Sequence, residues 1–139
     1  MKVRLLTVSH KQPAWVHDGC AEYEKRLPRE WAFQLVEIKP EPRTSGASSE
    51  RVQAAEAQRL QQALPKGARC IALDERGEAW STRTFADKLG RWQHEGRDLA
   101  FVVGGADGLD PAFRDAAAVR LSLSAMTMPR KAACSRPRR

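Results

Sequence analysis

The feature that most constrains the fold is Leu99-Ala100-Phe101-Val102-Val103-Gly104-Gly105-Ala106-Asp107-Gly108, an apolar run that stops abruptly at glycines. Apolar and β-branched residues following one another without alternation indicate a strand covered on both faces, as in a parallel sheet. The glycines then permit backbone geometries that a side chain forbids, and let a ligand approach the main chain closely. Asp110-Pro111 follows at once, an N-cap residue with proline at the first helical position. Strand, glycine turn and helix start together form the place where open α/β sheets bind ligands, beyond the carboxyl ends of their strands.

The rest of the chain repeats this alternation. Residues 2–9 predict a first strand, and Pro13 opens a helix over 14–26 that Pro28 ends. Trp15, Val16, Cys20, Tyr23 and Leu27 form its apolar stripe. A second strand spans 31–39, and a breaker-rich polar loop follows over 40–48. Ser49 is the expected cap of a second helix reaching Leu64, with Val52, Ala55, Leu60 and Ala63 facing the core. Residues 68–74 predict a third strand, ending in Asp74 before an Arg76-Gly77 turn. A third helix over 81–94 carries Phe85, Leu89 and Trp92 on one face. After the fourth strand come a helix over 110–118 and a fifth strand over 119–123. This order of strands and helices, without repeats or an internal linker, predicts an α/β fold with a mainly parallel sheet.

At 139 residues the chain is one domain with room for a core. It has neither the roughly 20 consecutive apolar residues of a membrane span nor the cleavable leader of a secreted protein, so the expectation is a cytoplasmic protein. Cys20, Cys70 and Cys134, like His10, His17 and His94, are scattered without metal-ligand spacing, and no metal site is expected. The net charge of +7 suggests nucleic acid, but Arg130, Lys131, Arg136, Arg138 and Arg139 account for most of it; without them +2 remains.

Familiar chemistries fit poorly. The glycines follow the fourth strand rather than the first, which disfavours a dinucleotide fingerprint, and no Gly-Lys-Ser/Thr phosphate loop is present. Ser122 and Ser124 lack a nucleophile elbow. Asp74 and Asp107 stand at strand ends, where turn or capping roles are commonest. What remains is a site built mostly from main chain: the end of strand three, the glycine turn and the Ser122–Met128 loop. Leu73, Leu123 and Met126 are placed to pack on a flat heterocycle such as adenine.

Val103-Gly104-Gly105-Ala106-Asp107-Gly108-Leu109 and Leu121-Ser122-Leu123-Ser124-Ala125-Met126-Thr127-Met128-Pro129 resemble the two signature segments of the ribosomal RNA large subunit methyltransferase H family, of the SPOUT class. The resemblance extends to Met1-Lys2-Val3, Trp15, Glu22-Tyr23, Arg26-Leu27, Glu37-Ile38, Leu73-Asp74, Gly77 and residues 96–98. It implies an α/β sheet of the SPOUT α/β-knot type. The implied activity is methyl transfer from S-adenosyl-L-methionine to N3 of a pseudouridine in 23S ribosomal RNA, by a homodimer acting on assembled ribosomes. The cofactor-binding positions it implies are Leu73, Gly104, Leu123, Ser124, Ala125, Met126, Thr127 and Met128; it assigns no catalytic residue.

The resemblance runs up to Pro129 and implies a domain over 1–128, with a basic tail over 129–139 that departs from the family. The family continues past this point with a histidine and an apolar helix that completes the knot, whereas here Arg130-Lys131-Ala132-Ala133-Cys134 leads into a basic, aperiodic tail. Two expectations follow: a frameshifted or truncated end with an incomplete knot and weak cofactor binding, or a natural tail that docks on ribosomal RNA. Beside the methyltransferase stand two other classes, a non-catalytic RNA- or ribosome-binding protein and a different α/β nucleotide-binding enzyme.

Overall fold

A computed structural model describes residues 1–44 and 46–126. The strands are β1 (Val3–Val8), β2 (Gln34–Ile38), β3 (Arg69–Ala79), β4 (Leu99–Val103) and β5 (Val119–Ser122). The helices are α1 (Ala14–Glu24), α2 (Ser49–Ala63), α3 (Thr82–Glu95) and α4 (Pro111–Ala116), with a 3-10 turn at Arg29–Trp31. All five strands run parallel in one sheet, in the order β2-β1-β4-β3-β5. The expected α/β architecture with its mainly parallel sheet is therefore present. The expectations about the knot and the 129–139 tail lie outside the described residues.

The strand order decides which face each helix covers. Crossovers between parallel strands are right-handed. The β1-to-β2 and β3-to-β4 connections run one way along the sheet, which puts α1 and α3 on one face; those from β2 to β3 and β4 to β5 run the other way. Two core clusters result. Leu6, Val8, Ala72, Ala100 and Val102 pack with Leu60 of α2 and Phe113 of α4. Val3, Ile71, Leu99 and Leu121 pack on the opposite face with Trp92 of α3. Central β4 feeds both clusters, and Leu99, Ala100 and Val102 are all fully buried.

The caps expected for α2 and α4 are found to within a residue, and Ser81, expected as the first residue of α3, caps it instead. Ser48, one position before the expected Ser49, accepts the Arg51 amide at 3.2 Å. Ser81 accepts the Thr84 amide at 3.0 Å, and Gly96 closes α3 in the left-handed conformation. Asp110 accepts the Phe113 amide at 3.1 Å, with Pro111 in the first turn.

Three local expectations are corrected. The second strand begins at Gln34 rather than Trp31, because Arg29–Trp31 winds into a 3-10 turn that Ala32 ends in the left-handed region. The third strand does not stop at Asp74: it shifts register between Leu73 and Glu78 and pairs again with β5 as far as Ala79. Gly77 is the reason this works, since a Cβ there would lie 2.7 Å from the Arg120 carbonyl carbon. The stripe predicted on α1 is only partly its inner face: Val16, Cys20 and Leu27 are half-buried, but Trp15 and Tyr23 are not. No residue of α1 is buried, and Trp15 and Tyr23 are 69% and 70% exposed. The helix instead turns His17, Cys20 and Glu24 toward Phe33, Leu35 and Glu37 across a cavity of about 540 Å³, with His17 Nε2 3.5 Å from Glu37 Oε1.

Candidate functional site

In open α/β sheets ligands bind where neighbouring connections leave the sheet on opposite faces. Here one such place is the carboxyl end of β4. Its connection to α4 leaves on one face, while the connections from its neighbours β1 and β3 leave on the other. The glycine turn therefore lies at a switch point, as its sequence suggests.

Register brings the other segments to the same edge. Leu73 of β3 stands opposite Val103 of β4 and Leu121 of β5. One step further along each strand, the chain reaches Gly104 on one side and Ser122-Leu123 on the other. Leu73 and Gly104 and the loop bearing Leu123, Ser124, Ala125 and Met126 thus border one sheet edge. That loop is held by its own hydroxyls: Ser122 Oγ donates to the Ser124 carbonyl at 2.9 Å, and the Met126 amide donates to Ser124 Oγ at 3.0 Å. Leu123 and Met126 are 64% and 78% exposed, an unusual placement for such side chains beside a backbone-rich turn. Thr127 and Met128 lie outside the described residues.

The glycines of the turn have two different reasons. The Gly108 amide donates to the Gly105 carbonyl at 2.9 Å, and Gly108 takes φ +83°, which side chains rarely adopt. Gly104 and Gly105 need room rather than conformational freedom. A Cβ on Gly104 would lie 2.8 Å from the Gly108 carbonyl carbon and the Leu109 nitrogen, and one on Gly105 would lie 2.2 Å from Glu56 Oε1.

Glu56 is the residue the sequence reading missed. The residue is 4% exposed, with its carboxylate beneath the turn, and Oε2 accepts the Glu41 amide at 3.1 Å. A signal was present: Glu56 sits four residues from both Val52 and Leu60, on the buried face of α2. The Glu41 contact begins a set of bonds that fastens the β2–α2 loop to the site. Arg59 pairs with the Glu41 carboxylate and donates from Nη1 to the Lys39 carbonyl at 2.9 Å. Gln53 Nε2 donates to the Asp107 carbonyl at 2.6 Å, and Arg43 Nη2 to Asp107 Oδ1 at 2.5 Å. Arg43 and Gln53 carry no local signal, because their partner lies more than fifty residues away.

Asp74 takes the turn role that its position suggests. Its Oδ1 accepts the Arg76 amide at 3.3 Å, and its Oδ2 lies 3.7 Å from Arg114 Nε on α4. Burial pushes the Cys70 thiol up to about 11, so it is protonated and a poor nucleophile. Among the described residues no group of three or more His, Cys, Asp or Glu side chains is arranged to hold a metal ion. No helix among them is long and apolar enough to cross a membrane. An apolar groove of about 410 Å³ adjoins the site through Leu73 and Leu123 and runs over Leu5 and Phe101 between Trp31 and Phe85.

A parallel sheet whose switch-point edge is built of main chain and exposed apolar side chains narrows the class, and comparison with known proteins identifies it. The sequence model of the family described as "Predicted SPOUT methyltransferase" matches residues 1–134. Proteins named Ribosomal RNA large subunit methyltransferase H from Burkholderia ambifaria (strain MC40-6) and Burkholderia multivorans (strain ATCC 17616 / 249) are each 54% identical over 129 residues, covering 93% of this chain and 83% of the relative. The chain belongs to the SPOUT methyltransferases, in the ribosomal RNA large subunit methyltransferase H family.

Proposed function

We propose that this chain methylates N3 of a pseudouridine in 23S ribosomal RNA, using S-adenosyl-L-methionine, in the cytoplasm on assembled ribosomes. The observation that carries the proposal is the convergence of Leu73, Gly104 and the Leu123–Met126 loop at the β4 switch point, in a chain of this family. The lining fits the cofactor: exposed Leu123 and Met126 offer apolar surface to a heterocycle, beside a turn whose first two glycines bring main chain, not side chains, to the edge.

When bound, S-adenosyl-L-methionine supplies an electrophilic methyl group. The chain's own contribution is to hold and orient. Leu73, Leu123 and Met126 would hold the adenine by apolar packing, and backbone groups of Gly104, Ser124 and Ala125 would supply its polar contacts, with Thr127 and Met128 continuing the same segment. Holding donor and acceptor in line would supply much of the rate enhancement in such a transfer; the N3–methyl bond forms as the sulfonium S–methyl bond breaks to leave a thioether, and the N3 proton passes to water. Trp15 and Tyr23, exposed on a helix that buries no side chain, are the surface proposed to meet a second copy in a homodimer.

The test is incubation of the full chain with purified large ribosomal subunits and methyl-labelled S-adenosyl-L-methionine. Mass spectrometry of the digested RNA is expected to find label on one pseudouridine, and Gly104→Val is expected to abolish it. Binding to subunits with no methyl transfer would overturn the enzymatic reading in favour of a non-catalytic ribosome-binding protein.

A further inference from the structure

The β2–α2 loop projects a cation at the rim of the site and holds it there. Arg43 Nη2 lies 2.5 Å from Asp107 Oδ1, and the two side chains differ sharply in exposure, at 56% and 18%. The carboxylate is thus part of the turn, whereas the guanidinium faces solvent. A guanidinium has five N–H donors in a rigid fork, and the bond to Asp107 uses Nη2, leaving donors for a second anion. The loop bearing Arg43 is itself anchored, by the Glu41 amide to Glu56 and by Arg59 to Glu41 and the Lys39 carbonyl. Asp107 is anchored in turn by Gln53. Loop and turn therefore form one unit, with a positioned cation above the glycines.

We propose that Arg43 binds a phosphate of the substrate RNA and that Asp107, acting through Arg43, sets the distance between the RNA backbone and the site. This rests on the ribosomal RNA reading above. Arginine suits the role because its planar fork matches phosphate geometry while a second edge pairs with a carboxylate. A simple loop strap would need only the ion pair, and exposed pairs contribute little to stability; the second donor edge is what the phosphate uses.

The test is equilibrium binding of the full chain to purified large ribosomal subunits across a salt titration. Arg43→Gln is expected to weaken binding about tenfold and to lower the salt slope by about one phosphate contact, roughly 0.7–0.9. Arg43→Lys is expected to keep the slope but bind more weakly. Asp107→Asn is the discriminating variant. Removal of a negative charge should by itself tighten RNA binding, whereas a positioning role predicts weaker binding. Arg97→Gln, at the opposite edge where Arg97 Nε donates to the Gly67 carbonyl, serves as the control and is expected to bind unchanged. An unchanged slope for Arg43→Gln, an equal loss for Arg97→Gln, or tighter binding by Asp107→Asn each overturns the inference alone. Failure of the unaltered chain to bind subunits overturns the ribosomal RNA reading and the inference with it. If Asp107→Asn does not fold, the two Arg43 variants decide the matter, since that side chain lies more than half in solvent.

Discussion

Gly77 and Cys70 show how single residues of β3 respond to their packing. Gly77 lies where the bulged part of β3 passes β5, and an added Cβ would meet Arg120 and Leu121 main chain at 2.7–2.8 Å. Backbone cannot yield as a side-chain tip does, so Gly77→Ala should cost about 1–3 kcal/mol, in the range of overpacked sites. Urea unfolding checks this, and an unchanged midpoint would mean that β5 moves aside freely. Cys70 makes a prediction with a sign. Its thiol is raised from an ordinary value of 9.0 to about 11 by burial, so the unfolded chain loses this proton first as pH rises. Stability from this group is complete below about pH 9 and is lost as pH climbs towards 11. Thermal melts across that interval should show a steeper decline for the unaltered protein than for Cys70→Ala. An equal slope would exclude the effect.

At the scale of elements, α1 and α3 share a face of the sheet but differ in how they are held. Trp92 of α3 is 8% exposed, with its ring 6.1 Å from that of Trp80 and the Arg69 guanidinium 5.1 Å from its centre. Phe85 continues the cluster edge-on to Phe101 at 6.0 Å. Trp92→Ala is therefore expected to cost about 3–5 kcal/mol, as for other buried aromatics. Trp15→Ala on α1 is expected to stay within about 0.5 kcal/mol in a dilute monomer, as for a surface position. Chemical denaturation of the two variants separates these values, and similar losses would show that α1 is packed after all. The spacing of Phe85, Leu89 and Trp92 correctly identified the inner face of α3. On α1 the same rule placed Val16 and Cys20 correctly but not Trp15 and Tyr23, because β2 is an edge strand and the helix stands over a cavity. There, a mixed polar stripe suffices and the aromatics are free to face outward.

Over the whole molecule, one sheet carries two cores and stability should be graded from its centre. Among the described residues, β1, β4 and β3 have hydrogen-bonded neighbours on both sides, whereas β2 and β5 lie at the edges. Amide exchange is expected to be slowest in Leu6, Ala100 and Val102 and faster by orders of magnitude in Gln34 and Arg120, as local opening precedes global unfolding at edges. Uniform protection across the sheet would contradict this. The same grading matters for the site, since its turn grows from the most buried strand while the Ser122–Met126 loop grows from an edge.

Local sequence determined the elements and their order. Apolar runs, Ser81 and Asp110 as caps, Gly96 as a stop and the glycine turn after β4 all act over a few residues, where backbone sterics and local hydrogen bonds dominate. The parallel sheet follows too, because short connections through helices permit little else. Only the tertiary structure decided the strand order, and with it the placing of Leu73 between Val103 and Leu121. It also decided that β3 runs past Asp74, that Trp15 and Tyr23 face outward, and that Glu56 and Arg43 meet a turn some fifty to sixty residues away. Those pairings depend on which surfaces remain uncovered once the sheet has assembled, and no window of neighbouring residues carries that information.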